Sequence, residues 1–307
     1  LADALRFHRQ GRLDEAERLY RQALKTEPRN PDALHLLGVV AHQCGDHEHA
    51  RQRIAKAIAI NPKDAAYHNN LGAVLLALNR PEQAVASFEK ALALKSDYAE
   101  AHNNLGNARQ RLERPREAID EYRKAIEIDP VYAEAHCNLG RAFHAVGELE
   151  AAADSYRRAL AIQPRYGRCL KNLGDVLAEL GQPDAAETCY REALSCSPRD
   201  AETHAALAAL LEHASRLEQA LDAAETALQT DDRNVRATVV AAKCERRLGR
   251  PEVALRRLEA LDLARLDREA KAFTLYEMGA ILDRLGQYGR AYRCFADGNR
   301  RILDGPL

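Results

Sequence analysis

The sequence lacks an imbalance of charge: 45 lysines and arginines stand against 46 aspartates and glutamates, and no segment gathers one sign. A nucleic-acid footprint is therefore not expected. Long apolar runs are also missing. No stretch approaches the length of a membrane span, and the N-terminal LADALRFHRQGR is too charged for the apolar part of a signal peptide. Glycine and proline, at 16 and 11 residues, are too scarce for a disordered or fibrous chain. The seven cysteines (Cys44, Cys137, Cys169, Cys189, Cys196, Cys244, Cys294) are odd in number, scattered, and never form a C-x-x-C pair. That pattern suits reduced, mostly buried thiols in an intracellular protein better than a disulfide framework, and makes the cytoplasm the expected compartment. No stretch sustains period-two alternation, so strands are not expected. The chain begins at Leu1 rather than Met, as a trimmed or excised chain would.

What the chain does have is a period. Asn-Leu-Gly occurs at Asn70, Asn104, Asn138 and Asn172, each 34 residues after the last. Alanine recurs at Ala16, Ala50, Ala84, Ala118, Ala152, Ala186, Ala220 and Ala254 with the same step, then at Ala291 after a step of 37. A second small-residue series runs through Gly38, Gly72, Gly106, Gly140, Gly174, Ala208, Ala242 and Gly279. Small side chains in register mark where helix backbones approach closely, since a larger group would strain the packing. Tyr20, Phe88, Tyr122, Tyr156, Tyr190 and Phe295 each follow one of the alanines by one helical turn and share its face. Pro28, Pro62, Pro130, Pro164 and Pro198 close successive second helices.

Helix-turn-helix units of this length, with Leu-Gly early, Ala then an aromatic in the second helix and Pro at the end, resemble the tetratricopeptide repeat. The resemblance implies an all-α, right-handed superhelical solenoid. Nine units are expected: a partial one at 1–30, then 31–64, 65–98, 99–132, 133–166, 167–200, 201–234, 235–271 and 272–307. In the eighth, Ala241-Ala242 replaces Leu-Gly and Leu258 replaces the aromatic, and three extra residues near LDLARLDREA displace the last unit. A change of curvature or a local break is expected there.

The resemblance also implies that first helices line a concave wall that binds an extended peptide or partner protein. With Leu-Gly at places seven and eight of each unit, place six carries Asn70, Asn104, Asn138 and Asn172. Place five adds Asn69, Asn103 and Lys171, and place nine adds Asn107 and Arg141. Asn inside a helix is worse than Ala by up to about 0.7 kcal/mol, so four in register are costly and call for a reason. One reason is local: hydrogen bonding within the helix pairs. The other is a ligand, because each Asn offers an acceptor and a donor to a passing peptide backbone. With helices about 8 to 10 Å apart and a peptide rising about 3.3 Å per residue, four rungs would hold about ten residues. On this reading Asn104→Ala with Asn138→Ala leaves folding intact while weakening binding.

The Asn series resembles the ladder of O-linked N-acetylglucosamine transferases, carried here by Asn70, Asn104, Asn138 and Asn172 and stopping at Ala206 and Val240. The last unit, YEMGAILDRLGQYGRAYRCFADGNRRI, looks like the final repeat of bacterial proteins that fuse such repeats to a sulfotransferase domain. The repeats use up the chain, leaving no Gly-rich phosphate loop or transferase motif, so no catalytic residue and no cofactor is expected. Tested against the carboxylate clamp of chaperone-binding family members, Asn107, Asn138 and Arg168 fit three places. Two cationic places fail, being filled by Asn103 and Asn172, which disfavours a chaperone C-terminus. The histidines around HQCGDHEH (His42, His47, His49, with Cys44) have no metal-ligand spacing, so no metal is expected. His68, His102, His136 and His204 recur at place four as packed, hydrogen-bonded residues.

The expected function is thus a non-enzymatic interaction module. One alternative is the substrate-recruiting region of a larger transferase, glycosyl or sulfo. Another is a scaffold or homo-oligomer joined through its end repeats.

Overall fold

The computed structural model describes residues 1–303, so the last four residues of the unit expected at 272–307 lie outside the described residues. All regular structure in those residues is helical: α1 (Ala2–Arg9), α2 (Leu13–Thr26), α3 (Pro31–Gln43), α4 (His47–Ile60), α5 (Ala65–Ala77), α6 (Pro81–Leu94), α7 (Ala99–Arg111), α8 (Pro115–Ile128), α9 (Ala133–Ala145), α10 (Leu149–Ile162), α11 (Gly167–Glu179), α12 (Pro183–Cys196), α13 (Ala201–His213), α14 (Leu217–Thr230), α15 (Val235–Arg247), α16 (Pro251–Glu259), α17 (Arg268–Arg284) and α18 (Tyr288–Leu303). No described helix is long and apolar enough to cross a membrane. The helices fall into two compact units, Leu1–Ile162 and Gln163–Leu307.

Odd-numbered and even-numbered helices pair, and the pairs are joined by the small-residue series. A methyl group added at Gly106 would stand 2.6 Å from the Tyr122 ring, and one at Gly72, Gly140, Gly174 or Gly279 would meet Phe88, Tyr156, Tyr190 or Phe295 as closely. The ring therefore lies flat against bare backbone, and no side chain but hydrogen fits beneath it. Where the ring is replaced the contact varies: a methyl at Gly38 would stand 2.7 Å from Ile54, whereas Ala208 faces the register of Ala224 and Ala242 that of Leu258, these last four all fully buried. The alanines from Ala16 to Ala254 are all 0% exposed, which lets the second helix close on its neighbours.

Each pair turns through one left-handed residue. Gly11, Gly45, Gly147, Gly181, Gly249 and Gly286 take φ between 71° and 84°, and Asn79, Glu113 and Ser215 hold the same place at 55°, 58° and 60°. Proline at the first position of α6, α8, α12 and α16 starts the following helix, where its missing N–H costs nothing.

The irregularity expected near 235–271 is a shortened second helix. α16 has nine residues where the preceding second helices, α2 to α14, have 14, and α17 starts at Arg268, ahead of the expected boundary at 272. Asp267 caps it, its carboxylate accepting from the Ala270 N–H at 2.8 Å.

Within each unit the first helices of successive pairs touch: α3 with α5, α5 with α7 and α7 with α9, and separately α11 with α13, α13 with α15 and α15 with α17. Successive second helices are held further apart. Each unit therefore curves with its first helices on the inner side.

Glu113 at φ 58° carries a side chain where glycine is favoured. Relieving that clash is worth about 1–2 kcal/mol, and the extra backbone freedom of glycine takes back about 0.5–1 kcal/mol. Glu113→Gly is expected to raise the denaturation midpoint by the equivalent of about 0.5–1 kcal/mol; a lowered midpoint contradicts the strain at this turn.

Candidate functional site: the inner wall of first helices

The asparagines of the first unit form a cross-repeat lattice. Asn104 Nδ2 donates to Asn69 Oδ1 at 3.1 Å, and Asn138 Nδ2 donates to Asn103 Oδ1 at 2.9 Å. Asn70 Nδ2 lies 2.8 Å from His35 Nε2 in the repeat before it. Place six of each repeat thus reaches back to place five of the previous one. The place-five amides reach forward in turn: Asn69 Nδ2 donates to Glu100 Oε1 at 3.0 Å, and Asn103 Nδ2 reaches the Tyr132 hydroxyl at 3.4 Å.

This lattice fixes which way the amides point. An ionised carboxylate only accepts, so Asn69 turns its NH2 to Glu100 and its carbonyl towards Asn104. Asn104 must then offer its NH2 to Asn69, which leaves its own carbonyl oxygen directed away from the lattice. At Asn70 the partner is a buried histidine. Burial pulls His35 down to about 4, against the opposing pull of the Asp64 and Asp32 carboxylates, so the ring is neutral near pH 7 and Nε2 can accept.

Burial sorts the expected peptide contacts. Asn70, Asn104, Asn107 and Arg141 are half-buried on the inner wall of the first unit, and Lys171 and Asn172 are half-buried in the second. Asn69, Asn103 and Asn138 were expected on the wall, but at 0%, 1% and 2% exposure they lie between repeats, where their amides hold neighbouring amides in place. The Lys171 ammonium is engaged 2.7 Å from Asp175, whose other oxygen accepts from the Tyr190 hydroxyl at 2.8 Å.

Arg141 differs from Lys171. Its Nε donates to Gln110 Oε1 at 3.1 Å and its Nη2 to Asn107 Oδ1 at 3.2 Å, while the Tyr122 hydroxyl donates to the same Asn107 oxygen at 2.8 Å. Both arginine partners are neutral amide oxygens, and no carboxylate pairs with Arg141 among the described residues. A cation is thus held in fixed geometry with its charge uncompensated.

Two features escaped sequence reasoning. Arg111, Arg247 and Arg284, all at place thirteen, cap the preceding first helix by donating to the carbonyls of Leu76, Glu212 and Arg246 at 3.0, 3.0 and 3.1 Å. Their spacing, 136 residues or four periods of 34 and then 37, was the available signal. In the second unit a hollow of about 560 Å³ opens on the inner wall, lined by Ala178, Ala206, Ala209, Leu210, His213 and Arg236 among others. Its signal was alanine at both place six and place nine of one repeat, Ala206 and Ala209, where the repeats on either side have Asn172 with Asp175 and Val240 with Lys243.

Family models described as "Tetratricopeptide repeat" match residues 7–73, 63–130, 133–166 and 167–210, and one described as "TPR repeat" matches 116–147. Residues 7–210 are tetratricopeptide repeats. Among solved structures, the type IV pilus biogenesis factor PilW is 23% identical, covering 68% of this chain and 97% of its own, with a TM-score of 0.63. A chain of the APC/C hetero-tetramer Cut9-Hcn1 is 16% identical over 93% of this chain and 52% of its own, with a TM-score of 0.66. At those identities the likeness is one of fold. YrrB, a TPR protein with an unusual peptide-binding site, is 24% identical over 60% of this chain and 95% of its own, at a TM-score of 0.49. No curated protein matches the chain.

In these tetratricopeptide repeats the place-four histidines tie loop to helix. His68, His136 and His204 place Nε2 2.9, 3.1 and 3.0 Å from the carbonyls of Pro62, Pro130 and Pro198, and His102 reaches Ser96 at 3.2 Å. Each repeat therefore anchors the loop through which it is entered. In HQCGDHEH, His42 and His47 meet through their Nδ1 atoms at 3.0 Å, and His49 pairs with Asp46 at 2.8 Å.

The lattice changes what an alanine on this wall should do. Removing Asn138 leaves the Asn103 oxygen buried without a donor, at a cost of about 1–3 kcal/mol, against about 0.7 kcal/mol regained in helix propensity. Asn138→Ala is expected to destabilise and to do so more than Asn104→Ala, whose side chain is half-exposed; equal, near-zero effects in denaturant titrations contradict the lattice. The buried His35 gives a pH dependence. Its folded value lies below the ordinary 6.5, so the unfolded chain takes up the proton first as pH falls. Stability is expected to drop by up to about 3 kcal/mol as pH falls through the window from 6.5 to about 4. His35→Gln should flatten that slope, and an unchanged slope in the variant argues against it.

Proposed function

We propose that the inner wall of the first unit binds an extended acidic segment of a partner protein, and that the chain works as a non-enzymatic interaction module. The observation that carries this is Arg141, a guanidinium fixed by Asn107 and Gln110 with no carboxylate of its own. Holding an unpaired cation beside a row of amide carbonyls favours a ligand that brings the missing anion. The Asn70 and Asn104 carbonyls would accept from main-chain N–H groups of the ligand, and His35 and Asn69 would keep those carbonyls aimed. Main-chain recognition of this kind is tolerant of sequence, so the acidic contact supplies the selectivity. In the second unit, Asn172 and the hollow beside Ala206 and Leu210 would take main chain and an apolar side chain.

Selection from a random-peptide library on the purified chain tests the reading. Selected peptides are expected to be rich in Asp or Glu. Arg141→Ala should weaken them by roughly 10- to 100-fold, the loss of one charge-assisted hydrogen-bond contact, with helical content unchanged by circular dichroism. Peptides without acidic enrichment, or affinity untouched by Arg141→Ala, would count against it.

A further inference from the structure

Away from the inner wall, the first unit repeats one chemical arrangement and then leaves it unfinished. In the repeat carried by α7 and α8, His102 is buried and uses both ring nitrogens. Nε2 faces the Ser96 carbonyl at 3.2 Å, and Nδ1 meets Glu121 Oε2 at 2.6 Å. Glu121 is 3% exposed. Burial pushes its carboxyl up, but the hydrogen bonds from His102 and Lys124 and the nearby Arg109 charge outweigh this and hold it below the usual value.

One repeat later, 34 residues on, the same places read His136 for His102, Ser155 for Glu121, Ala151 for Glu117, Phe143 for Arg109 and Arg123 for Glu89. His136 is 5% exposed and keeps the Pro130 contact through Nε2, but its buried Nδ1 has no partner. The Ser155 hydroxyl does not supply one, because it turns back to the Ala151 carbonyl at 2.8 Å. Shortening Glu121 to Ser and Glu117 to Ala leaves a pocket of about 360 Å³, with His136 and Ser155 in its lining. Leu139 and Phe143 form an apolar wall, and Arg123 and Arg158 stand at its edge with Glu127 and Asp154. Arg123 also lies over the Phe143 ring, 5.5 Å from its centre. Where three glutamates close on Arg109 in the repeat before, three uncharged or cationic residues now stand.

We propose that this pocket is a binding site for a carboxylate on an apolar stem, the guest carboxylate taking the place that Glu121 fills beside His102. The proton balance follows from the tautomer. Nε2 donates its hydrogen to the Pro130 carbonyl, so in the neutral ring Nδ1 is a bare acceptor. A carboxylate enters together with one proton, which bridges Nδ1 and the guest oxygen, while the stem packs on Leu139 and Phe143. Arg158, in the register of Lys124, supplies the second cationic contact. The earlier His68 repeats the pairing with Ser87 but has Gln83 in place of Ala151 and Ala55 in place of Arg123; the later His204, whose Nδ1 is also buried without a partner, keeps a cation at Arg191 but has Gln219 in place of Ala151 and Ala223 in place of Ser155.

The test is a calorimetric titration of the full chain with benzoate and, separately, with N-acetyl-glutamate amide, in two buffers of different ionisation enthalpy. Saturable binding in the millimolar range with uptake of about one proton is expected, together with a shift of the His136 ring nitrogen resonances. Binding of benzoate alone identifies a free organic acid as the ligand, and binding of the glutamate amide identifies an acidic side chain of a partner. Ser155→Glu restores the resident carboxylate, so it should abolish binding while raising stability; His136→Gln should also abolish it. No saturable heat and no His136 shift with either probe, or binding that survives Ser155→Glu, overturns the proposal.

Discussion

The arrangement depends on the contact between a glycine of the first helix and the ring of the second, made in the pairs that begin with α5, α7, α9, α11 and α17. With a Cβ at Gly106 the Tyr122 ring would be met at 2.6 Å, and the helix pair would have to open. Closing the pair brings Ala118 and its counterparts fully out of water and sets each first helix against the next. Only at that spacing can a place-six amide reach a place-five amide of the repeat before. The direction of the Asn104 carbonyl is therefore a consequence of helix packing, and in α5, α7 and α9 that packing is set by one missing side chain per repeat.

A second constraint acts through polar groups. Buried amides must be satisfied, and the first unit meets this with bonds that run between repeats rather than within them. Asn69 is the clearest case, bonded to Glu100 on one side and Asn104 on the other. Repeats are then coupled by directional bonds as well as by apolar contact, which keeps neighbouring rungs in fixed register. A wall that is already ordered loses less freedom when a ligand binds it.

Much of this was legible in the sequence because a period multiplies weak signals. One glycine or one alanine means little, but five glycines each answered by a ring sixteen residues later define a contact. The left-handed turns were legible where glycine filled them, and hidden at Glu113 and Ser215, where an ordinary residue accepts strain. The ladder was legible as a series but not as a role. Asn103 and Asn104 are adjacent and chemically identical, and only the spacing between repeats decides that the first is buried and the second half-exposed. Arg141 was visible as a candidate, yet its lack of a carboxylate depends on Asn107, Gln110 and Tyr122 meeting it in space. The start of α17 at Arg268 was missed because Asp267 caps a helix ahead of the periodic pattern.

The central claim is that the first unit presents Asn104 and Arg141 to an extended, acidic ligand. A crystal structure of the chain with a selected acidic peptide tests it most directly. The account predicts an extended backbone crossing α5, α7 and α9, with a main-chain N–H on the Asn104 carbonyl oxygen and a carboxylate on Arg141. A peptide seated on the second helices, with Asn104 and Arg141 untouched, would contradict it.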